Sequence, residues 1–495
     1  MATLEQRPAQ LPHAPSLMFH RLFCFPAALC AVLAATVVAV ARKGFTDPDI
    51  WWHLRNVQCL FATHKWLRVD AFSFTVRGQP WIDHEWLAEI PYYVAWRGFG
   101  VLGVKVLSLL ILESIFGGLL YLCWRQSGHI KASACACYLA VLLGSVSFGP
   151  RTLLFGYIYL IVLLLVLEEF PARSPAPLWV LPPLFCLWIN THGSWALGLI
   201  VFVIFIAGGF FEGRWGAVEA TPWSPMQLRR LLRTLVISVA ALFLNPYGYR
   251  LVLYPLDMAF RQKLNIAHVA EWSSVDFHDF RGKIALVFVF ALLLGALLGR
   301  SRWRLHEVGF ALFGMYAALT YVRFLFLAGI LAAPLIARLL SFLPPYRPEI
   351  DRPAFNLLIL AGALAFMACG FPTTSQLWRS IDREYPEEAV STLMSLPPSD
   401  HVLNFYLWGG YLGWADPQYR DFIDSRVDVF ERAGVLQDYL DLISLKDPDA
   451  ALDKYRIRYV LFPPDEPLSY VLLHDARWRV AFRGSVSILF ERVKD

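Results

Sequence analysis

Charge is scarce in this chain. Asp, Glu, Lys and Arg make up 17% of its 495 residues while 57% are hydrophobic, which is too apolar for an ordinary soluble protein, whose apolar share is about 45–50%. Cysteine is scarce as well. Of eight, Cys24, Cys30, Cys123, Cys135, Cys137, Cys186 and Cys369 fall in or beside apolar runs, Cys59 stands alone, and none follows Thr373. Neither a disulfide-stapled exterior nor a Cys-ligated zinc site is therefore expected, and Cys135 and Cys137, two residues apart, read as buried structural groups. No glycine-rich phosphate loop occurs, which argues against a cytosolic enzyme working on nucleotide-linked substrates. No convincing internal repeat occurs either, and that argues against the paired halves of a transporter.

What the chain has instead is a series of long apolar runs from Met18 to Phe371, and none beyond. Each run of roughly 15 to 24 residues can cross all or most of a ~30 Å hydrocarbon core as a helix. About eleven spans are expected, at 18–41, 101–124, 132–149, 151–170, 177–190, 194–212, 228–245, 283–299, 306–321, 323–343 and 355–371. Ala39-Val40-Ala41 has the look of a signal-peptidase site, but the apolar run before it exceeds a signal core of ~7–15 residues, so a retained anchor is expected. Basic residues resist translocation and so set orientation. Arg125 and Lys131, Arg173, the group Arg214, Arg229, Arg230 and Arg233, the group Arg300, Arg302 and Arg304, and Arg347 with Arg352 alternate with connections that carry very few. With the N-terminus inside, the loop 42–100 and everything after about 373 lie outside. The formal net charge of +5 is then a topology signal, and no nucleic-acid partner is expected. The expected fold class is a polytopic α-helical membrane protein with two units: a transmembrane domain over 1–372, with the large first external loop 42–100, and an external soluble α/β domain over 373–495.

The polar residues collect on the expected outer side. Asp47-Pro48-Asp49-Ile50-Trp51-Trp52-His53-Leu54 follows the first apolar run, and Trp81-Ile82-Asp83-His84-Glu85-Trp86-Leu87 lies in the same loop. Pro48 suits the first turn of a helix, so Asp47 reads as an N-cap and Asp49 as a first-turn carboxylate; Asp447-Pro448-Asp449 repeats that tripeptide at an ordinary helix start. If the helix runs to about Phe61, Asp49, Trp52, His53 and Asn56 share one face, with Trp51 and Leu54 free to lie in the membrane interface. An anchoring helix has no need to align a carboxylate, an imidazole and an amide. Glu85 and Glu89 share a second face beside His84, read either as a solvated helix start capped by Asp83 or as part of a substrate site.

Asn190-Thr191-His192-Gly193, Asn245-Pro246-Tyr247-Gly248 and Glu271-Trp272-Ser273-Ser274-Val275-Asp276-Phe277-His278-Asp279 fall in other connections on that side. His192 reads as satisfying backbone groups between spans or as a site residue. Arg151 and Arg323, at the outer ends of spans, either snorkel or hold a lipid phosphate. Glu113, within a span, is a weaker candidate. In the tail, a strand at Arg420–Asp424 is expected to lead into Asp424-Ser425-Arg426, a ligand position or a salt-bridged turn, and Trp408-Gly409-Gly410-Tyr411 permits a close backbone approach.

The acidic motif in a large first external loop, the eleven or so spans and the outer α/β tail together resemble the GT-C fold of integral membrane glycosyltransferases. The motifs at 47–54, His84-Glu85-Trp86-Leu87, Asn190-Thr191-His192-Gly193, Asn245-Pro246-Tyr247-Gly248 and Trp408-Gly409-Gly410-Tyr411-Leu412 resemble more closely a bacterial group of GT-C-like membrane proteins. That resemblance implies transfer of a sugar from a polyprenyl-phosphate donor to a glycan, lipid or protein acceptor at the periplasmic face of the cytoplasmic membrane. It implies that Asp47 or Asp49 acts as general base, with inversion at the anomeric carbon. Some families on this fold use a divalent metal, Mg or Mn, which Asp47 and Asp49 would hold here; others need none. His53, His84, Glu85, Arg151, His192, Arg323 and Trp52 are the expected substrate-binding residues, with Trp51, Trp81 and Trp86 as further stacking faces. The loop lacks the Asp-Glu pair of the mannosyltransferases and aminoarabinose transferases, so no acceptor carries over. A transporter or scaffold for lipid-linked glycans without chemistry of its own, and a glycan ligase or polymerase, are the alternatives.

Overall fold

The computed structural model describes residues 22–42, 45, 47–170, 177–298, 302–397 and 401–493. Arg173, Arg300 and the first residues of the first expected span lie outside them. Helices occupy each stretch expected to span. Among the described residues, five helical segments are long and apolar enough to cross a bilayer by length and composition: Trp86–Ser127, Ile130–Ser147, Phe280–Leu298, Val322–Phe342 and Pro353–Gly370. Phe25–Ala41, Leu178–Thr191 and Trp195–Gly208 are apolar but shorter. The chain is an integral membrane protein. At its centre stands the helix Leu325–Leu339, buried from Leu325 to Ala337 and packed on the helices Ile130–Gly144 and Leu305–Thr320; a helix apolar on every face is stable only when surrounded.

The Trp86–Ser127 helix is two pieces. Gly100 adopts φ +60°, ψ −145°, which a residue with a Cβ resists, so the apolar part begins at Val101 as the hydropathy pattern predicts. The piece before it carries Glu89 and packs against the helix Asp49–Thr63.

Between the long helices lies a small sheet of β1 (Gly213–Trp215), β2 (Val218–Ala220) and β3 (Trp303–Arg304). Residues after Thr373 form a second sheet of β4 (Val402–Asn404), β5 (Tyr459–Phe462), β6 (Trp478–Arg483) and β7 (Ile488–Arg492), in the order β4-β5-β7-β6. β4 and β5 run parallel with Val402 opposite Tyr459, while β7 is antiparallel to both β5 and β6. The expected strand at Arg420–Asp424 does not form; it makes one bridge, Ser73 with Asp421. Its backbone is claimed by other groups: Phe422 N–H donates to Asn404 Oδ1, Ile423 O accepts from Asn404 Nδ2, and Phe422 O accepts from Thr75 Oγ1.

These bonds tie the first loop to the tail. Trp52, Phe72, Val76 and Trp81 share a buried core with Leu403, Phe422, Ile423 and Phe430. Trp408-Gly409-Gly410-Tyr411 is where the tail touches the start of the 49–63 helix. A Cβ at Gly410 would lie 3.2 Å from Pro48 O and 3.3 Å from Trp52 N, and one at Gly409 only 2.2 Å from Ile423 O. The two glycines thus serve docking of backbone on backbone. Trp51, expected in the membrane interface, is instead fully buried, as is Leu54. The indole sits edge-on to Trp96, Tyr385 and Tyr411, at 5.8, 5.6 and 5.0 Å between ring centroids, because the tail covers that side of the helix.

Candidate active site

Asp47 and Asp49 play different parts. Asp47 Oδ1 accepts the Asp49 N–H at 3.0 Å, which is the helix-starting role its position predicts, while its Oδ2 pairs with Arg151 Nε. Arg151 uses its other arm on Glu271. Both carboxylates hold this guanidinium just ahead of the helix Leu153–Glu169, whose N-cap is Thr152. Asp49 is half-buried and makes a weaker contact, its Oδ1 lying 3.4 Å from Trp52 Nε1; that indole N–H is also 3.1 Å from Ser425 Oγ in the tail. Burial, then the like charge of Asp47, raise the Asp49 carboxyl to about 7, against the opposing pull of His53 and Ser425. At neutral pH it is therefore poised to exchange a proton.

One turn on, the same helical face presents His53 and Asn56 to the second acidic cluster. His53 Nδ1 lies 2.7 Å from Glu89 Oε1 and Nε2 3.5 Å from Glu85 Oε2. Asn56 Nδ2 donates at 2.6 Å to both Asp83 Oδ2 and Glu89 Oε2. Burial and the neighbouring Glu89 push Asp83 well above the usual carboxylate range, and burial pushes Glu89 the same way. Glu85 is the opposite case: burial works against its charge, yet His84, His192 and His53 together hold it down at about 2. His192 Nδ1 accepts the Ser194 N–H at 2.9 Å, which puts the ring proton on Nε2, 3.2 Å from Glu85 Oε1. Burial lowers His192 to about 3, so the contact is a neutral imidazole donating to a carboxylate. His192 thus satisfies the backbone between two helices and joins the cluster. His84 Nε2 is 3.6 Å from Glu85 Oε1, and its ring stacks on Tyr254 at 4.5 Å.

Asp47, Asp49, Trp52, His53, His84, Glu85, Arg151 and His192 therefore belong to one connected network. Arg323 stands at its edge. Its guanidinium lies over the Trp272 ring at 4.3 Å, next to Glu271, whose carboxylate burial disfavours but Arg151 and Arg323 keep below its ordinary value. Among the described residues Arg323 has no ion-pair partner, whereas Arg151 has two. Trp51, Trp52 and Trp81 are all buried and Trp86 gives its N–H to Asn190 Oδ1, so Trp52 contributes an N–H to the site and no open stacking face. Glu113 stays outside the network, with Oε1 buried and without a hydrogen bond. Asp424 and Arg426 form a buried ion cluster with Asp70, the salt-bridged turn that their spacing allows. Glu271 was given no role by the sequence beyond its place in a polar motif, and Ser425 only a share in the Asp424-Ser425-Arg426 turn, with nothing to link it to Trp52. Among the described residues no three His, Cys, Asp or Glu side chains converge as a metal site, and Asp47 is already engaged by Arg151.

No family model and no curated protein matches the chain by sequence. Solved structures do match by shape. ArnT from Cupriavidus metallidurans bound to undecaprenyl phosphate aligns with a TM-score of 0.53 at 13% identity, over 98% of this chain and 99% of that one. The Archaeoglobus fulgidus oligosaccharyltransferase AglB, in complex with an inhibitory peptide and a dolichol-phosphate, aligns at 0.54 and 12% identity over 91% and 70%. The same organism's oligosaccharyltransferase tethered to an acceptor peptide aligns at 0.52 and 15% identity over 88% and 68%. The fold is GT-C-like.

Proposed function

We propose that this protein is a membrane glycosyltransferase that moves a sugar from a polyprenyl-phosphate donor to an acceptor hydroxyl at the periplasmic face of the cytoplasmic membrane. The observation that carries this reading is a carboxylate poised near neutrality, Asp49, in one network with a guanidinium at its edge, Arg323, that makes no direct ion pair among the described residues and lies over Trp272. The GT-C-like fold, shared with proteins solved with undecaprenyl phosphate and dolichol-phosphate, supports it.

Asp49 takes the proton of the acceptor hydroxyl as that oxygen bonds to the anomeric carbon, and the bond from that carbon to the phosphate oxygen breaks with inversion. The leaving polyprenyl phosphate carries away the electron pair. Arg323 meets its growing charge, in the way preorganised cations stabilise leaving groups, with Arg151 held close by Asp47 and Glu271. Glu85, with His84 and His192, sets the shape of the wall and, with Glu89, holds the His53 ring. Because Asp47 is committed to Arg151 and to the Asp49 N–H, the donor set does not fit a divalent ion, and no step of this transfer runs through one.

The test is turnover by the purified chain in nanodiscs of undecaprenyl-phosphate-linked, radiolabelled sugars, hexose and aminopentose, with bacterial envelope glycolipids as acceptors. Release of undecaprenyl phosphate with label in an acceptor is expected; no turnover of any donor sinks the reading. Arg323→Gln should lower kcat/KM for the donor about 10- to 100-fold, because a charge-assisted hydrogen bond contributes about 1.5–3 kcal/mol. Arg323→Lys should recover part of that loss, having the charge without the planar fork. Equal activity in all three proteins would place the phosphate elsewhere.

A further inference from the structure

A cleft of about 310 Å³ opens where the tail meets the start of the 49–63 helix, within the range of small-molecule sites, about 300–1,000 Å³. Its position follows from the sheet. β4 and β5 are the parallel pair, and the residues that leave their carboxyl ends, Phe405 after β4 and Pro463 after β5, both line it. Crevices at the carboxyl ends of parallel strands are where α/β sheets bind ligands, since the chain there turns aside and leaves the strand ends uncovered. Pro48 lines the same cleft, and it is the residue between Asp47 and Asp49.

The chemistry of the lining selects a ligand class. Arg383, Glu384 and Asp465 are exposed side chains with no ion-pair partner among the described residues, one donor group and two acceptor groups set against apolar walls of proline, phenylalanine and leucine. Two carboxylates against one guanidinium repel a phosphate. A ring with hydroxyls on its edge and C–H groups on its face satisfies both kinds of wall. Resting on the transferase reading above, we propose that this cleft holds the acceptor and that the acceptor is an uncharged carbohydrate, which enters beside Pro48 with one hydroxyl directed toward Asp49.

The full-length protein in nanodiscs, probed on an array of neutral and acidic oligosaccharides, tests this. Retention of neutral glycans is expected, falling at least about tenfold in Ser485→Trp, which fills the cleft from the exposed β6–β7 turn, and in the double variant Glu384→Gln/Asp465→Asn, which removes two charged acceptors. Thermal protection by undecaprenyl phosphate, measured on each variant, shows that the fold and the donor side persist. No retained neutral glycan, or equal retention by wild type and both variants, overturns the proposal. If glycans are retained through the cleft while no donor is ever turned over, the carbohydrate site stands and its role as an acceptor site falls with the transferase reading.

Discussion

Asp49→Asn is expected to slow sugar transfer by about 10²–10⁴-fold, the usual contribution of a general base, without unfolding the protein. The amide keeps the size of the carboxyl and can still accept from Trp52 Nε1, now 3.4 Å away, but it cannot take a proton. A first-turn Asn loses only the attraction of the charge to the helix dipole, about 0.3–1 kcal/mol, so a merely structural Asp49 would tolerate the change. The pH profile gives a second reading. With its pKa at about 7, Asp49 gains its basic form as pH rises through neutrality, so kcat/KM should climb on an acid limb near pH 7. Asp47→Asn removes the second-largest cause of that raised value, and the limb should move to lower pH while burial keeps it above an ordinary carboxylate. Donor turnover in nanodiscs from pH 5 to 9 measures both. Wild-type rates in Asp49→Asn, or a limb unmoved by Asp47→Asn, would mean that another group takes the proton.

Local pattern carried part of this site and long-range pairing carried the rest. The face made by Asp49, Trp52, His53 and Asn56 was legible because helical periodicity alone aligns residues three, four and seven apart, and the helix forms over Asp49–Thr63. The close approach at Gly409-Gly410 was legible because only glycine leaves room for it. Glu271 and Ser425 were not, since nothing local distinguishes an acid that meets Arg151, 120 positions earlier in the chain, from one that faces water. The burial of Trp51 was hidden for the same reason: its cover comes from Tyr385 and Tyr411 in the tail. Arg420–Asp424 has the composition of a strand, yet its hydrogen bonds go to Asn404 and to the loop around Ser73, partners that no sequence window contains.

Arg426→Leu is expected to cost about 3–5 kcal/mol of stability, the range for breaking a buried ion pair by removing one partner. Arg426 Nη2 lies 2.8 Å from Asp70 Oδ1 and 2.6 Å from Asp424 Oδ2, all three side chains are about 1% exposed or less, and the guanidinium lies within 4.9 and 4.8 Å of the Phe72 and Trp81 ring centres. Without it, three carboxylates, Asp70, Asp424 and the neighbouring Asp421, remain buried without their cation. They are then driven to bind protons in the folded state, so the loss should be greatest at high pH and should shrink as pH falls and they become neutral. The quadruple variant Arg426→Leu/Asp70→Asn/Asp421→Asn/Asp424→Asn should recover much of the stability at every pH, because uncharged replacements of a buried ion cluster are often tolerated. Melting of the purified protein between pH 5 and 8 checks each step. The consequence reaches the chemistry through Ser425, which stands between two members of this cluster and meets the Trp52 N–H beside Asp49. Ser425 is one of the groups that hold the Asp49 pKa down, so loosening the cluster should move the acid limb of activity to higher pH. An unmoved limb in a measurably destabilised Arg426→Leu protein would show that the tail braces the fold without tuning the carboxylate.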